Sequence, residues 1–177
     1  MYEIPEEPEI SDQVKQELLS DNFPGISPED TVSVLPFLTS SNYQKDTMIF
    51  TEGDVSEFIC IIVSGEIIVV KEDSKHLRFD SNYEHQIITR LHKGQLFGEL
   101  AFIDELPRSA SAVTVSETVV IKLDRDNFDK MRDEHPRLWG NFILSISKLV
   151  CTRLRRSGGA LVDLRLSIDS ALSALSN

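Results

Sequence analysis

The chain has 177 residues, 41% of them hydrophobic and 27% charged, which suffices for one well-cored domain with appendages. Its formal net charge is -11, but residues 1–30 hold nine acids against Lys15 alone, so the other 147 residues carry only -3 and the acidity belongs to an N-terminal arm. No apolar run approaches a membrane span, and MYEIPEEPEI has neither the basic flank nor the apolar core of a signal peptide; the expectation is a cytoplasmic protein that does not engage a membrane.

In chain order, Ile10, Val14 and Leu18 recur at i, i+4 and i+8, predicting a short amphipathic helix within the acidic arm, residues 1–26. Ser27-Pro28-Glu29-Asp30 reads as a helix start, with Ser at the cap, Pro at the first helical position and acids in the first turn. From Lys45 the texture changes to strands. DTMIF, EFICIIV, EIIVV, HQIITRL and AVTVSETVVIKL are rich in Ile and Val, with Gly53, Gly65 and Gly94 between or beside them. So many short strands predict a mainly β domain, closed or double-sheeted and antiparallel, with flanking helices. The polar stretch EDSKHLRFDSNYEH reads as a surface excursion between two strands.

After Leu123, Asp124 caps a predicted short helix carrying Phe128 and Met131, and Pro136 begins a longer one over 136–156. Its apolar stripe runs through Trp139, Phe142, Ile143, Ile146, Leu149, Val150 and Leu154. Arg153, Arg155 and Arg156 suit the negative pole of a helix C-terminus, and Ser157-Gly158-Gly159 is predicted to end it. Beyond, Leu161, Leu164, Ile168, Leu172 and Leu175 lie at helical spacing, so residues 157–177 form a second amphipathic helix. Its apolar edge needs a partner, and the expectation is a homodimer through the C-terminal helices.

Cys60 and Cys151 are spaced for neither a metal site nor a disulfide framework, and His76, His85, His92 and His135 lack any metal-binding pairing. No metal is expected, and a cupin-type metalloenzyme, the catalytic alternative, lacks clustered ligands. The chemistry concentrates in FGELAFIDELPRSASAV, residues 97–113. There Gly98, Ala101, Ser109 and Ala110 are small enough to let a backbone approach a ligand. A short helical segment begins after Gly98, and Arg108 follows Pro107 with the side chain best matched to phosphate oxygens. An ionised Glu99 only accepts hydrogen bonds, so it calls for a hydroxyl donor. Phosphate for Arg108 and hydroxyl for Glu99 describe a ribose phosphate. The plainer alternative is a surface ion-pair network of Glu99 and Arg108 with Asp104 and Glu105.

Gly98-Glu99-Leu100-Ala101 and Pro107-Arg108-Ser109-Ala110 resemble the two halves of the phosphate-binding cassette of cyclic nucleotide-binding domains, the module shared by protein kinase A regulatory subunits and the catabolite activator protein. IFTEGD, FICIIVSGEIIVV, LHKGQLFGEL and VVIKLDRDNF extend the resemblance, and residues 27–156 are expected to form that domain. It implies a double-stranded β-helix (jelly-roll) barrel followed by a short and a long helix. It also implies that Glu99 accepts from the ribose 2'-hydroxyl, that Arg108 pairs with the cyclic phosphate, and that backbone groups around Gly98, Leu100, Ala101, Ser109 and Ala110 complete the anion site. Val69, Ile88 and Thr89 are implied as the wall for the base, and Leu149, Val150 and Leu154 as lid positions on the output helix. Ser109 after the arginine occurs in guanine-binding and in cAMP-binding relatives, so the expected ligand is cAMP with cGMP as the alternative.

No catalytic nucleophile with a base partner can be assembled, so the expectation is a non-catalytic regulatory module. The last 21 residues are too few for a winged helix-turn-helix and lack a basic recognition helix, so DNA is not expected as a partner. The output is expected to pass through the C-terminal helices to an unidentified protein effector or the chain's own dimer. A cassette kept only as a ligand-free interaction scaffold is the alternative.

Overall fold

The computed structural model describes residues 7–71 and 87–175; the stretch 72–85, expected as a surface excursion, lies outside them. Two short helices come first, α1 (Asp12–Asn22) and α2 (Pro28–Val34). At α2 the Ser27 hydroxyl accepts from Asp30 N at 3.1 Å with Pro28 in the first turn, the start expected from the sequence. Ile10 and Val14 pack half-buried against the core that encloses Leu18, Leu19 and Phe23, so the apolar edge of the acidic segment faces the domain.

The strands are β1 (Leu38–Tyr43), β2 (Met48–Phe50), β3 (Phe58–Ser64), β4 (Glu66–Val70), β5 (Ile87–His92), β6 (Leu96–Phe97), β7 (Ser111–Thr114) and β8 (Thr118–Asp124). They form two four-stranded antiparallel sheets, ordered β1-β8-β3-β6 and β2-β7-β4-β5. Strand structure begins at Leu38, not at Lys45. LTSSNY carries no Ile or Val, and its place is set by pairing with β8, Leu38 opposite Leu123 through to Tyr43 opposite Thr118. AVTVSETVVIKL, expected as one run, breaks at 115–117, and its halves enter different sheets. The chain also changes sheet at Gly65, whose φ is +92° and where a Cβ would stand 2.5 Å from the Glu117 carbonyl. The two crossings therefore lie against each other, which only glycine permits.

Period-two alternation explains why β3 is apolar from Phe58 to Val63. Ile59 and Ile61 join Leu96, Ile121 and Leu123 beneath the helices, while Cys60 and Ile62 face Ile67, Leu91, Ala112 and Val120 between the sheets.

Three helices complete the fold: α3 (Glu99–Asp104), α4 (Arg125–Glu134) and α5 (Pro136–Leu175). Asp124 caps α4 as expected, accepting from Asn127 N at 2.8 Å, and Phe128 and Met131 are buried. Phe142 of α5 stacks on Phe23 with centroids 4.0 Å apart, tying the N-terminal segment to the long helix.

The expected stop at Ser157-Gly158-Gly159 does not occur, and α5 runs through it as one 40-residue helix. Each glycine costs about 1 kcal/mol relative to alanine there, yet helix on both sides carries the ladder across. Ser157 bonds back to the Arg153 carbonyl at 3.1 Å, within the helix. Arg153, Arg155 and Arg156 are thus mid-helix residues and not partners of a helix pole. The side chains of Leu161, Leu164, Ile168, Leu172 and Leu175 lie outside those described.

Candidate functional site

Gly98 takes φ +78° between β6 and α3 and turns the chain so that Glu99 starts the short helix facing inward. Glu99 is 4% exposed and Arg108 3%. Both therefore need partners inside the domain.

Arg108 donates from one Nη to the Gly98 carbonyl at 2.8 Å and from the other to the Phe58 carbonyl at 2.6 Å. Its guanidinium lies 4.0 Å from the centroid of the Phe50 ring and 5.0 Å from that of Phe58. Its Nε is buried with no hydrogen-bond partner, and no carboxylate lies within ion-pair distance among the described residues. Burial pulls its pKa down from the ordinary arginine value, while Cys60, Asp54 and Glu99 oppose that shift. Backbone bonds fix the arginine's place: Arg108 N donates to the Asp54 carbonyl, and Gly53 N donates to the Arg108 carbonyl.

Glu99 meets an arginine of α5 whose position in the sequence suits a helix pole. Arg153 of α5 donates to Glu99 Oε1 at 2.5 Å and also to the Leu96 carbonyl. Glu99 Oε2 takes no protein donor among the described residues. A surface network of Glu99 and Arg108 with Asp104 and Glu105 is not formed. Asp104 accepts from Leu106 N, and Glu105 pairs with Arg125 at 3.8 Å.

These groups open on a cleft of about 620 Å³ between the second sheet, α3 and α5. Gly98, Glu99, Leu100, Ala101, Arg108, Ser109 and Ala110 all line it. So do Val69, Ile88 and Thr89, with Val69 directly opposite Thr89 in the β4–β5 register. The three lid positions stand elsewhere. Leu149 and Val150 pack against the core, and Leu154 is 71% exposed. The helix presents Arg153, Arg156 and Ser157 to the cleft instead. They continue the core-facing stripe of Phe142, Ile146 and Val150 at steps of three and four, so the stripe turns polar where the helix leaves the sheet and reaches the cleft. That spacing was the signal for Arg153, which was hidden by reading the arginines as a helix end. A second unanticipated residue is Lys71, which bridges Glu52 at 2.5 Å and the Ser109 carbonyl at 2.8 Å at the cleft's rim.

Among the described residues no group of three or more His, Cys, Asp or Glu is placed to hold a metal ion, and no helix is long and apolar enough to cross a membrane. Chemically, the arrangement offers a buried cation without an anion, a buried carboxylate with one open oxygen, and an apolar wall.

Comparison with known proteins gives a consistent result. The family model described as the cyclic nucleotide-binding domain matches residues 40–135, more than half of the chain. A cyclic AMP receptor protein of Thermus thermophilus is 28% identical over 148 residues, covering 84% of this chain and 61% of the relative. A cAMP-dependent protein kinase regulatory subunit of Dictyostelium discoideum is 29% identical over 102 residues, covering 58% of this chain and 30% of the relative. The chain thus spans less than two thirds of either protein. Among solved structures, a cyclic nucleotide-binding domain from Methylobacillus flagellatus superposes with a TM-score of 0.70 at 25% identity, over 82% of this chain and 81% of the other. The regulatory domain of Toxoplasma gondii PKA with cAMP gives 0.59 at 25% identity, over 71% and 46%.

Proposed function

The chain belongs to the cyclic nucleotide-binding domain family, and from that premise we propose that it is a non-catalytic sensor that binds cAMP in the cleft, with cGMP as the alternative ligand. The observation that carries the reading is Arg108, a buried guanidinium with no carboxylate on it and an unpartnered Nε beside the cleft. A buried charge without a counter-ion is costly, and an incoming phosphate supplies that counter-ion. Glu99 Oε2 accepts the ribose 2'-hydroxyl while Oε1 stays on Arg153. Ser109 and the backbone around Ala101 complete the anion site, and Val69, Ile88 and Thr89 flank the base.

The output runs through α5, because Arg153 ties that helix to the carboxylate that reads the ribose. Ligand binding shifts the balance between positions of α5, and a protein partner or a second copy of the chain reads the change. A ligand-free scaffold is the second reading, favoured by the internal partners that Arg108 and Glu99 already have.

Calorimetric titration with cAMP, cGMP and linear AMP tests the proposal, with thermal melts alongside. A cyclic nucleotide at about 100 times its Kd adds about 2.7 kcal/mol of apparent stability, and Glu99→Gln weakens its binding. Protein shown free of copurified nucleotide that binds none of the three supports the scaffold instead.

A further inference from the structure

A second groove, of about 660 Å³, lies on another face of the domain and is not used by the nucleotide cleft. Its apolar contacts include Val55, 80% exposed, and Leu106, 61% exposed, beside Pro107. Around them stand the carboxylates of Glu57, Glu105 and Asp126. Ser56 also lines the groove, only 8% exposed, with a buried hydroxyl that has no hydrogen-bond partner. Asp124 is occupied as the cap of α4. The cation lining the groove, Arg125, is engaged by the Phe102 carbonyl, by the Phe102 ring at 4.1 Å and by Glu105.

The charge decides the occupant. Carboxylates around exposed aliphatic side chains repel nucleic acid and anionic lipid. They do not converge as a metal site among the described residues, so the complementary ligand is an extended cation with an apolar portion. The groove is also wired to the cleft. Val55, Ser56 and Glu57 on one wall are flanked in the chain by Gly53, Asp54 and Phe58, whose backbone bonds hold Arg108 from behind.

We propose that this groove docks a basic segment of a protein partner, with an aliphatic anchor against Val55 and Leu106 and Lys or Arg side chains on Glu57, Glu105 and Asp126. This names a surface for the output proposed above, but its existence does not depend on which nucleotide binds.

The test uses the full chain, isotope-labelled for NMR, titrated with a short synthetic peptide of Arg, Lys and Leu and with a control in which Glu replaces each basic residue. Amide shifts are expected at 55–57, 105–106 and 124–126 with the basic peptide alone. Glu57→Lys combined with Asp126→Lys lowers its affinity by about tenfold or more. Both side chains are exposed and make no hydrogen bond or ion pair among the described residues, so the fold persists, as a melt verifies. Shifts outside the groove, equal binding of the control peptide, or unchanged affinity in the double variant overturn the proposal. A cAMP titration of the same samples keeps the two ideas apart. Protein that binds cAMP but not the peptide refutes the docking groove alone, and protein that binds the peptide there but no nucleotide refutes the sensor alone.

Discussion

Arg153→Met keeps the aliphatic stem of the side chain and removes the guanidinium from Glu99 and the Leu96 carbonyl. The loss can be scaled from the geometry. Breaking a fully buried pair costs about 3–5 kcal/mol, and a charged hydrogen bond contributes about 1.5–3 kcal/mol. The Glu99 side chain is almost fully enclosed, but that of Arg153 is 33% exposed, so solvent screens part of the interaction. About 2 kcal/mol is the expected loss, which in a domain of this size lowers Tm by about 4–8 °C. A double-mutant cycle with Glu99→Gln isolates the pair. The double variant should be more stable than the sum of the two changes by about 1–2 kcal/mol, because each single change leaves the other partner stranded. In the same proteins Arg153→Met weakens cAMP binding and Arg153→Lys restores part of it, since Glu99 loses the group that orients its carboxylate. Additivity within about 0.5 kcal/mol would refute the link between α5 and the cleft.

Three further outcomes follow from particular positions. Gly158→Ala with Gly159→Ala should raise helicity and stability by about 1 kcal/mol per site, because both lie within α5 and an added Cβ meets nothing within 4 Å. A fall in the circular dichroism melt would instead mean that the helix ends there on a left-handed glycine. Gly98→Ala should cost about 1–2 kcal/mol from its φ of +78°, and its Cβ, 2.8 Å from an Arg108 Nη, should also displace the guanidinium; nucleotide affinity that survives calorimetry unchanged would contradict that placement. Burial pushes the Cys60 thiol up to about 12, and burial together with Cys60 pushes the Tyr43 hydroxyl up to about 12. Both are neutral in the native state, while the unfolded chain loses these protons from 9.0 and 10.0 upward. Stability is therefore fully present below about pH 9 and declines toward pH 12, by up to about 1.4 kcal/mol per pH unit per group. Urea midpoints independent of pH across that interval would refute it, and native Cys151 should react with a thiol reagent well before Cys60.

What could be read in advance was what lies close together in the chain. The helix starts at Ser27 and Asp124 are local hydrogen bonds between neighbours, and the cassette is one contiguous segment whose nine-residue step from Glu99 to Arg108 spans a single short helix and a proline turn. Strand β1 escaped notice because LTSSNY is defined by its partner β8 and not by its own side chains. The end of α5 was misjudged for the opposite reason, since two glycines carry a strong local stop signal that a long helix overrides.

The contact that sequence reading missed altogether, Arg153 on Glu99, spans 54 residues, and the carbonyl that holds Arg108 from behind is 50 residues away at Phe58. The cassette motif thus marks Glu99 and Arg108 as the groups proposed to meet a ribose phosphate, but the chain's long-range contacts decide what those groups hold in this structure. Arg108 is bound to the Phe58 carbonyl, next in the chain to the groove-lining residues 55–57, and Glu99 to the long helix. A ligand that takes a hydrogen bond from the first or offers one to the second changes the balance of forces on two separate surfaces, and coupling of this kind is reciprocal. If the proposed nucleotide alters the grip of a partner on α5, that partner alters the affinity for the nucleotide by the same factor.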